Sequence, residues 1–142
     1  MQRLRAVSPG DVLAASEDER ATRDLLRNRK TLELWLWEAP DFGQINVLNP
    51  DDRLPEGPVA EARSTWLRQA EAGDHKAQAS LARVAELQRD LVKDGRYRRP
   101  PILNDREARP SLHAGRHRLV AAHACWTEGT FVHPIEILWV LP

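Results

Sequence analysis

Residues 113–118 read His-Ala-Gly-Arg-His-Arg, and they hold most of what this sequence could bring to a chemical step. Two guanidinium groups and two imidazoles lie within this hexapeptide, with Gly115 between them. The stretch that follows, 119-LVAAHACW-126, is almost entirely small or apolar and predicts a buried helix that starts near position 116. A helix start carries unpaired N–H groups and a partial positive charge, so local electrostatics favour acids there rather than Arg116, His117 and Arg118. Cations gathered at such a place point to an anionic ligand. A phosphate fits: Gly115 lets backbone approach closely, the first-turn N–H groups point at it, and Arg118 offers a planar fork of donors that a lysine lacks. Arg116 adds charge. His117 is placed either to contact the phosphate or to donate to a backbone carbonyl, and the sequence leaves both open.

Charge elsewhere narrows the ligand. The 142 residues include 21 basic and 21 acidic side chains, a net charge of zero, which excludes a general attraction to nucleic acid or acidic membranes. The distribution is uneven, since residues 93–118 hold eight bases against three acids while the first 92 hold thirteen against sixteen. A basic stretch on a neutral chain indicates a local anionic ligand. Within it, 95-GRYRRP-100 sets Tyr97 beside Arg98 and Arg99, a combination able to stack on a nucleobase or hold single-stranded DNA. Trp35, Trp37, Trp126 and Trp139 fall in apolar periodic segments and are expected in the core, leaving Trp66, in the polar run RSTWLRQ, as the freer indole. His123 shares a helical face with Leu119 and Trp126 and reads as a histidine at the core edge. There is no HExxH and no CxxC, and His113 and His117 flank a strand-to-helix break, so no metal ligand set is read from the sequence. The single cysteine, Cys125, has no partner for an internal disulfide and reads as a small buried hydrophobe.

The elements that must position these groups follow from periodicity and punctuation. With 42% hydrophobic and 30% charged residues the chain is expected to close one core. No apolar run approaches the roughly 20 residues of a membrane span, and the N-terminus lacks the apolar centre of a signal peptide, so the expectation is a cytoplasmic protein with no membrane partner. After an irregular start, a helix is predicted over 11–30, with Ser16 as N-cap and Glu19 completing a capping box. A strand covered on both sides follows at 31–38, then a break at 39–43, a short strand at 44–49 and a Pro-rich loop to residue 58. Helices are predicted at 59–73 and 76–95, the second with the stripe Ala77, Leu81, Val84, Leu87, Leu91 and a stop at Gly95. Pro100 and Pro101 lead into a short strand at Ile102 and Leu103. A turn at 105–110, a strand at 111–113, the helix from 116 to about 126 and a β-rich tail at 131–142 complete the chain.

The string LARVAELQRDLVKDGRYRRPPIL followed by SLHAGRHRLVAAHA resembles the shared core of the ParB/sulfiredoxin superfamily, in which a helix ending in glycine leads to a Pro-Ile strand and then a Gly-x-x-Arg helix start. Gly95, Pro101, Ile102, Gly115, Arg118, Ala121 and Ala122 occur in the family's order, and the similarity spans roughly residues 44–140. The resemblance implies an α+β fold with a small mixed β-sheet flanked by helices. It also implies a nucleotide-binding domain over 44–142, with residues 1–43 as a helix-strand extension packed on it. It assigns nucleotide phosphates to Gly115, Arg116, His117 and Arg118, names ATP or CTP with magnesium as ligands, and gives NTP hydrolysis or phosphoryl transfer as the chemistry. Catalysis of that kind needs an acid to orient a nucleophile. Glu56 in 54-LPEG-57 is similar in position to a glutamate that acts as base in the free-serine kinase branch, and Glu56 and His117 are therefore the expected catalytic residues; Glu61, Asp105 and Glu107 are weaker candidates.

Departures from the branches guide the reading. Sulfiredoxins carry a catalytic cysteine where this chain has Arg116, which argues against sulfinic acid reduction. The free-serine kinases have an acid where Ala114 stands. Chromosome-partition proteins often have that alanine, but continue into helix-turn-helix and dimerisation domains that this sequence, running to Pro142, does not contain. The alternative to an enzyme is a non-catalytic or nuclease-like DNA-binding regulatory module of plasmid or phage origin that uses the same turn or the Tyr97–Arg99 loop.

Overall fold

The computed structural model describes residues 1–27, 31–46, 58–106 and 109–142. Along these the chain forms β1 (Gln2–Ala6), α1 (Pro9–Ala15), α2 (Glu19–Leu26), β2 (Thr31–Trp37), α3 (Ala39–Phe42), α4 (Val59–Glu71), α5 (His75–Asp94), β3 (Ile102–Arg106), β4 (Arg109–Ala114), α6 (Arg116–Glu128) and β5 (Ile135–Leu141). The strands make one sheet in the order β1-β2-β5-β3-β4. Neighbours are antiparallel except β3 and β5, which run parallel. A parallel pair needs a long crossover, and α6 supplies it. The fold is thus α+β with a mixed sheet flanked by helices, as the sequence led us to expect.

The sheet is covered on both faces, and β2 shows how. Leu32 and Leu34 join Ile102, Leu138 and Val140 beneath α1 and α2, where Val12 and Ala15 are buried and Leu25 and Leu26 pack partly. Trp35 and Trp37 belong to the opposite face, with Leu103, Ile135 and Ile137, beneath Val59 and Trp66 of α4, Val84, Leu87 and Leu91 of α5, and Leu119 of α6. Full burial of one such aliphatic side chain contributes roughly 1.5–3 kcal/mol, so the thicker α4–α6 layer holds its part of the sheet more firmly than the thin α1–α2 layer. Cys125 is buried as predicted, and His123 sits at the core edge between the rings of Phe42 and Trp126.

Several elements differ from the sequence reading. The opening residues are not irregular: Gln2 to Ala6 pair with β2 as an edge strand. The single helix over 11–30 is two helices. α1 is capped by Ser8, whose Oγ accepts from the Asp11 N–H at 3.2 Å while the Asp11 carboxylate accepts from the Ser8 N–H at 2.9 Å. Hydrogen bonding from Ser8, its backbone N–H first, lowers the Asp11 carboxyl from its ordinary value. Ser16 ends α1 with extended backbone instead of starting a helix, and Asp18 caps α2 by accepting from the Ala21 N–H at 3.1 Å. The strand expected at 44–49 is an isolated bridge between Asn46 and Pro58, and residues 47–49 lie outside the described residues. Of the turn at 105–110, residues 105 and 106 belong to β3 and 109 and 110 to β4. Among the described residues no helix is long and apolar enough to cross a membrane.

Candidate functional site

The β4–α6 turn is built around Gly115, which has φ 96° and ψ 28°, the left-handed region that favours glycine. A Cβ at this position would stand 2.9 Å from both Cα and Cβ of Pro101 and 3.2 Å from Arg118 Nη2. Glycine is therefore required by the turn's own packing against the β3 entry, and not only by access for a ligand. As the N-cap of α6 it offers no side chain to the first turn.

Arg118 points back under this turn. It is 5% exposed, and burial pulls its guanidinium down from its ordinary value while Glu17 and Tyr97 pull it up. A guanidinium starting so far above neutrality stays charged. Nη1 donates to the Arg99 carbonyl. Nη2 has no hydrogen-bond partner and lies 3.7 Å from Glu17 Oε1. One arm of the expected bidentate fork is thus committed to backbone, and one faces the acid. Tyr97 completes the anchorage, its hydroxyl donating to the Arg118 carbonyl at 2.9 Å. Tyr97 is buried and its phenol is pushed upward by desolvation, so it is not the exposed stacking residue the sequence pointed to. It ties the loop to the helix. The side chains of Arg98 and Arg99 do reach solvent.

Trp66 corrects a second expectation. It is 1% exposed, whereas Trp126, expected in the core, is 41% exposed. The indole of Trp66 is a platform for the turn: the His117 ring stacks on it at 5.3 Å and 11°, and the Arg116 guanidinium carbon lies 5.9 Å from the ring centre, within cation–π range. His117 Nε2 is also 3.0 Å from Ser80 Oγ. These contacts fix His117 in place.

Opposite the turn, residues 16–18 bend between α1 and α2. A cleft of about 520 Å³ separates the two walls. On the basic side it is lined by Gly115, Arg116, His117 and Arg118, with Arg83 from α5 and His113 from β4; on the other side stand Ser16, Glu17, Asp18 and Thr22. A hydrogen-bonded chain crosses one end. Ser16 Oγ is 2.5 Å from Thr22 Oγ1, which is 3.0 Å from His113 Nε2.

The four residues of the predicted phosphate seat are therefore brought together. Tyr97, Arg98 and Arg99 do not line the cleft, and Glu56 lies outside the described residues. Glu17, Asp18, Thr22 and Arg83 are not singled out by the sequence, and His113, read there only as half of a rejected metal pair, joins the cleft wall. The bend at 16–18 falls where the sequence predicts one helix over 11–30, and its place opposite Arg118 depends on packing between distant segments. Among the described residues no group of three or more His, Cys, Asp or Glu side chains is arranged to hold a metal ion by protein ligands alone. Compared with models of known protein families, with curated proteins and with solved structures, the chain matches none. The site is read from its own geometry.

Proposed function

We propose that this protein is ParB/sulfiredoxin-like and holds the phosphates of a nucleotide, ATP or CTP, at the β4–α6 turn, for NTP hydrolysis or phosphoryl transfer. The observation that carries this reading is the buried Arg118 Nη2, a charged donor with no hydrogen bond beside the first turn of α6. Leaving such a group unsatisfied costs about 1–3 kcal/mol or more, a deficit that a phosphate oxygen would remove. Glu17 does not remove it, because at 3.7 Å it makes an ion pair without a hydrogen bond. That side chain is 63% exposed, and a pair of this kind is worth under about 1 kcal/mol, so a multiply charged anion can displace it. Arg116 and Arg83 supply further positive charge on the cleft. The volume falls within the roughly 300–1,000 Å³ of small-molecule sites.

Magnesium fits this cleft as a partner of the nucleotide. The ion is commonly held by one or two carboxylates together with substrate phosphates, and Glu17 and Asp18 are the carboxylates lining the cleft. Bound there it would neutralise charge on the phosphates. His117, held by Trp66 and Ser80, serves to position the turn in this reading.

Thermal denaturation with each of the four NTPs, with and without magnesium, tests the proposal. ATP or CTP should raise the melting temperature, and Arg118→Ala should abolish the shift; no stabilisation by any nucleotide would defeat it. The exposed Arg98 and Arg99 favour a second reading, a DNA-binding or nuclease-like module. Salt-dependent retardation of DNA, lost in the Arg98→Ala/Arg99→Ala variant and without phosphate release from NTPs, would support it instead.

A further inference from the structure

The chain Ser16–Thr22–His113 does more than cap a helix. A local serine turn accounts for the Asp18 N–H donating to Ser16 Oγ at 3.1 Å. It does not account for the link onward through Thr22 to an imidazole 91 positions away on β4. Thr22 is 0% exposed, so the middle of this chain is shielded from water, while Ser16 and His113 both line the cleft. With the His113 proton on Nδ1, Thr22 donates to Nε2 and Ser16 donates to Thr22. Two lone pairs then remain on Ser16 Oγ, one engaged by the Asp18 N–H. This is the arrangement of a hydroxyl that can be activated as a nucleophile by a base acting through one intermediate group.

Position agrees with chemistry. Glu17, the next residue, reaches within 3.7 Å of Arg118 Nη2, and Ser16, Glu17 and Arg118 line the same cleft.

We propose that Ser16 is a phosphoryl acceptor, and that the protein transfers the terminal phosphoryl group of a bound NTP to its own Ser16. This rests on the nucleotide reading of the cleft. Ser16 Oγ attacks the terminal phosphorus, the Oγ–P bond forms, and the bond from that phosphorus to the bridging oxygen breaks, with the nucleoside diphosphate leaving with the electron pair. The Ser16 proton passes to Thr22 Oγ1 as the Thr22 proton passes to His113 Nε2. His113 acts through Thr22 and is a positioning and proton-accepting residue; Ser16 is the one that touches the reacting phosphorus.

The test is intact mass and peptide mapping of the full chain after incubation with magnesium and ATP or CTP, beside nucleotide thermal shifts on the same samples. The expected result is a gain of one phosphoryl group on the peptide containing Ser16. Ser16→Ala should lose the modification and keep the thermal shift. Thr22→Val, which keeps side-chain shape but breaks the relay, and His113→Gln should each slow the modification by about 100-fold or more, the lower range of general-base contributions, without loss of nucleotide stabilisation. A nucleotide-stabilised wild-type chain with no phosphoserine overturns the proposal and leaves the cleft reading intact. Modification at another residue, or modification that persists in Ser16→Ala, also overturns it. Absence of any nucleotide stabilisation removes both.

Discussion

The two walls of the cleft hold their charges in opposite ways. On the β4–α6 side, Arg118 is almost wholly buried and tied to the Arg99 carbonyl, its own carbonyl is bound by Tyr97, and His117 and Arg116 lie on the buried Trp66. On the α1–α2 side, Glu17 is largely exposed and projects from a three-residue bend between helices of seven and eight residues. A cation fixed in a dry setting is oriented before its ligand arrives, and such preorganisation is what makes a charged donor effective. The acid is a loosely held counter-ion. The pairing is thus asymmetric, with a fixed cationic seat and a replaceable anion, and this is why we read the site as a receptor for a stronger anion and not as a structural salt bridge.

Perturbing the fixed wall should cost most. Gly115→Ala imposes left-handed backbone on a β-carbon, about 1–3 kcal/mol, and sets that carbon 2.9 Å from Pro101. Thermal and denaturant unfolding should show a loss at or above the top of that range, together with loss of nucleotide binding. A melting temperature close to wild type would show the seat to be softer than its geometry indicates. Arg118→Ala comes next. Removing one charge-assisted hydrogen bond, worth about 1.5–3 kcal/mol, should weaken pyrophosphate or nucleotide binding about 10- to 100-fold by calorimetry. Arg118→Lys should not restore it, because an ammonium cannot serve the Arg99 carbonyl and a ligand with the same planar fork.

The loose wall should give a smaller effect of opposite sign. Glu17→Gln removes a competitor worth at most about 1 kcal/mol, so pyrophosphate without magnesium should bind up to about fivefold more tightly. With magnesium the gain should disappear, since the same carboxylate shares the ion. Tighter binding in both conditions would limit Glu17 to a counter-ion, and weaker binding in both would contradict its displacement.

The smallest effect lies away from the cleft. Burial holds the His123 imidazole below its ordinary value of 6.5. Between that lowered value and 6.5 the unfolded chain binds more protons than the folded one, so stability is lost as pH falls through 6.5. The melting temperature should decline modestly from about pH 7 to 5, and His123→Gln should flatten the decline.

Sequence and structure agree where the signal is local. The cationic turn was visible because glycine, arginines and histidine fall within six residues, and β2 because Leu32, Leu34, Trp35 and Trp37 make both faces apolar. The long stripe of α5 and its stop at Gly95 were equally legible. What escaped depends on partners distant in the chain. Ser-x-x-acid occurs at both 8–11 and 16–19, and only the packing of Val12 and Ala15 on the sheet selects the first as the capping box. β1 is an exposed strand whose partner lies some thirty residues away. Tyr97 stands among arginines, yet its ring turns inward to reach Arg118, a direction that loop composition does not encode. The neighbours of Trp66 in sequence are polar, although Val59, Ala62 and Trp66 mark the buried face of α4. The acidic bend, which gives the cleft its second wall, was concealed by the same misplaced capping box.

Calorimetric titration of the wild-type chain with ATP and CTP in the presence of magnesium, run beside Arg118→Ala, decides whether the β4–α6 turn seats a nucleotide. Saturable binding at one site per chain is expected for at least one of the two nucleotides, lost or weakened at least tenfold in the variant; no binding of either nucleotide to the wild-type chain, or equal binding to both proteins, would rule out Arg118 as the phosphate clamp.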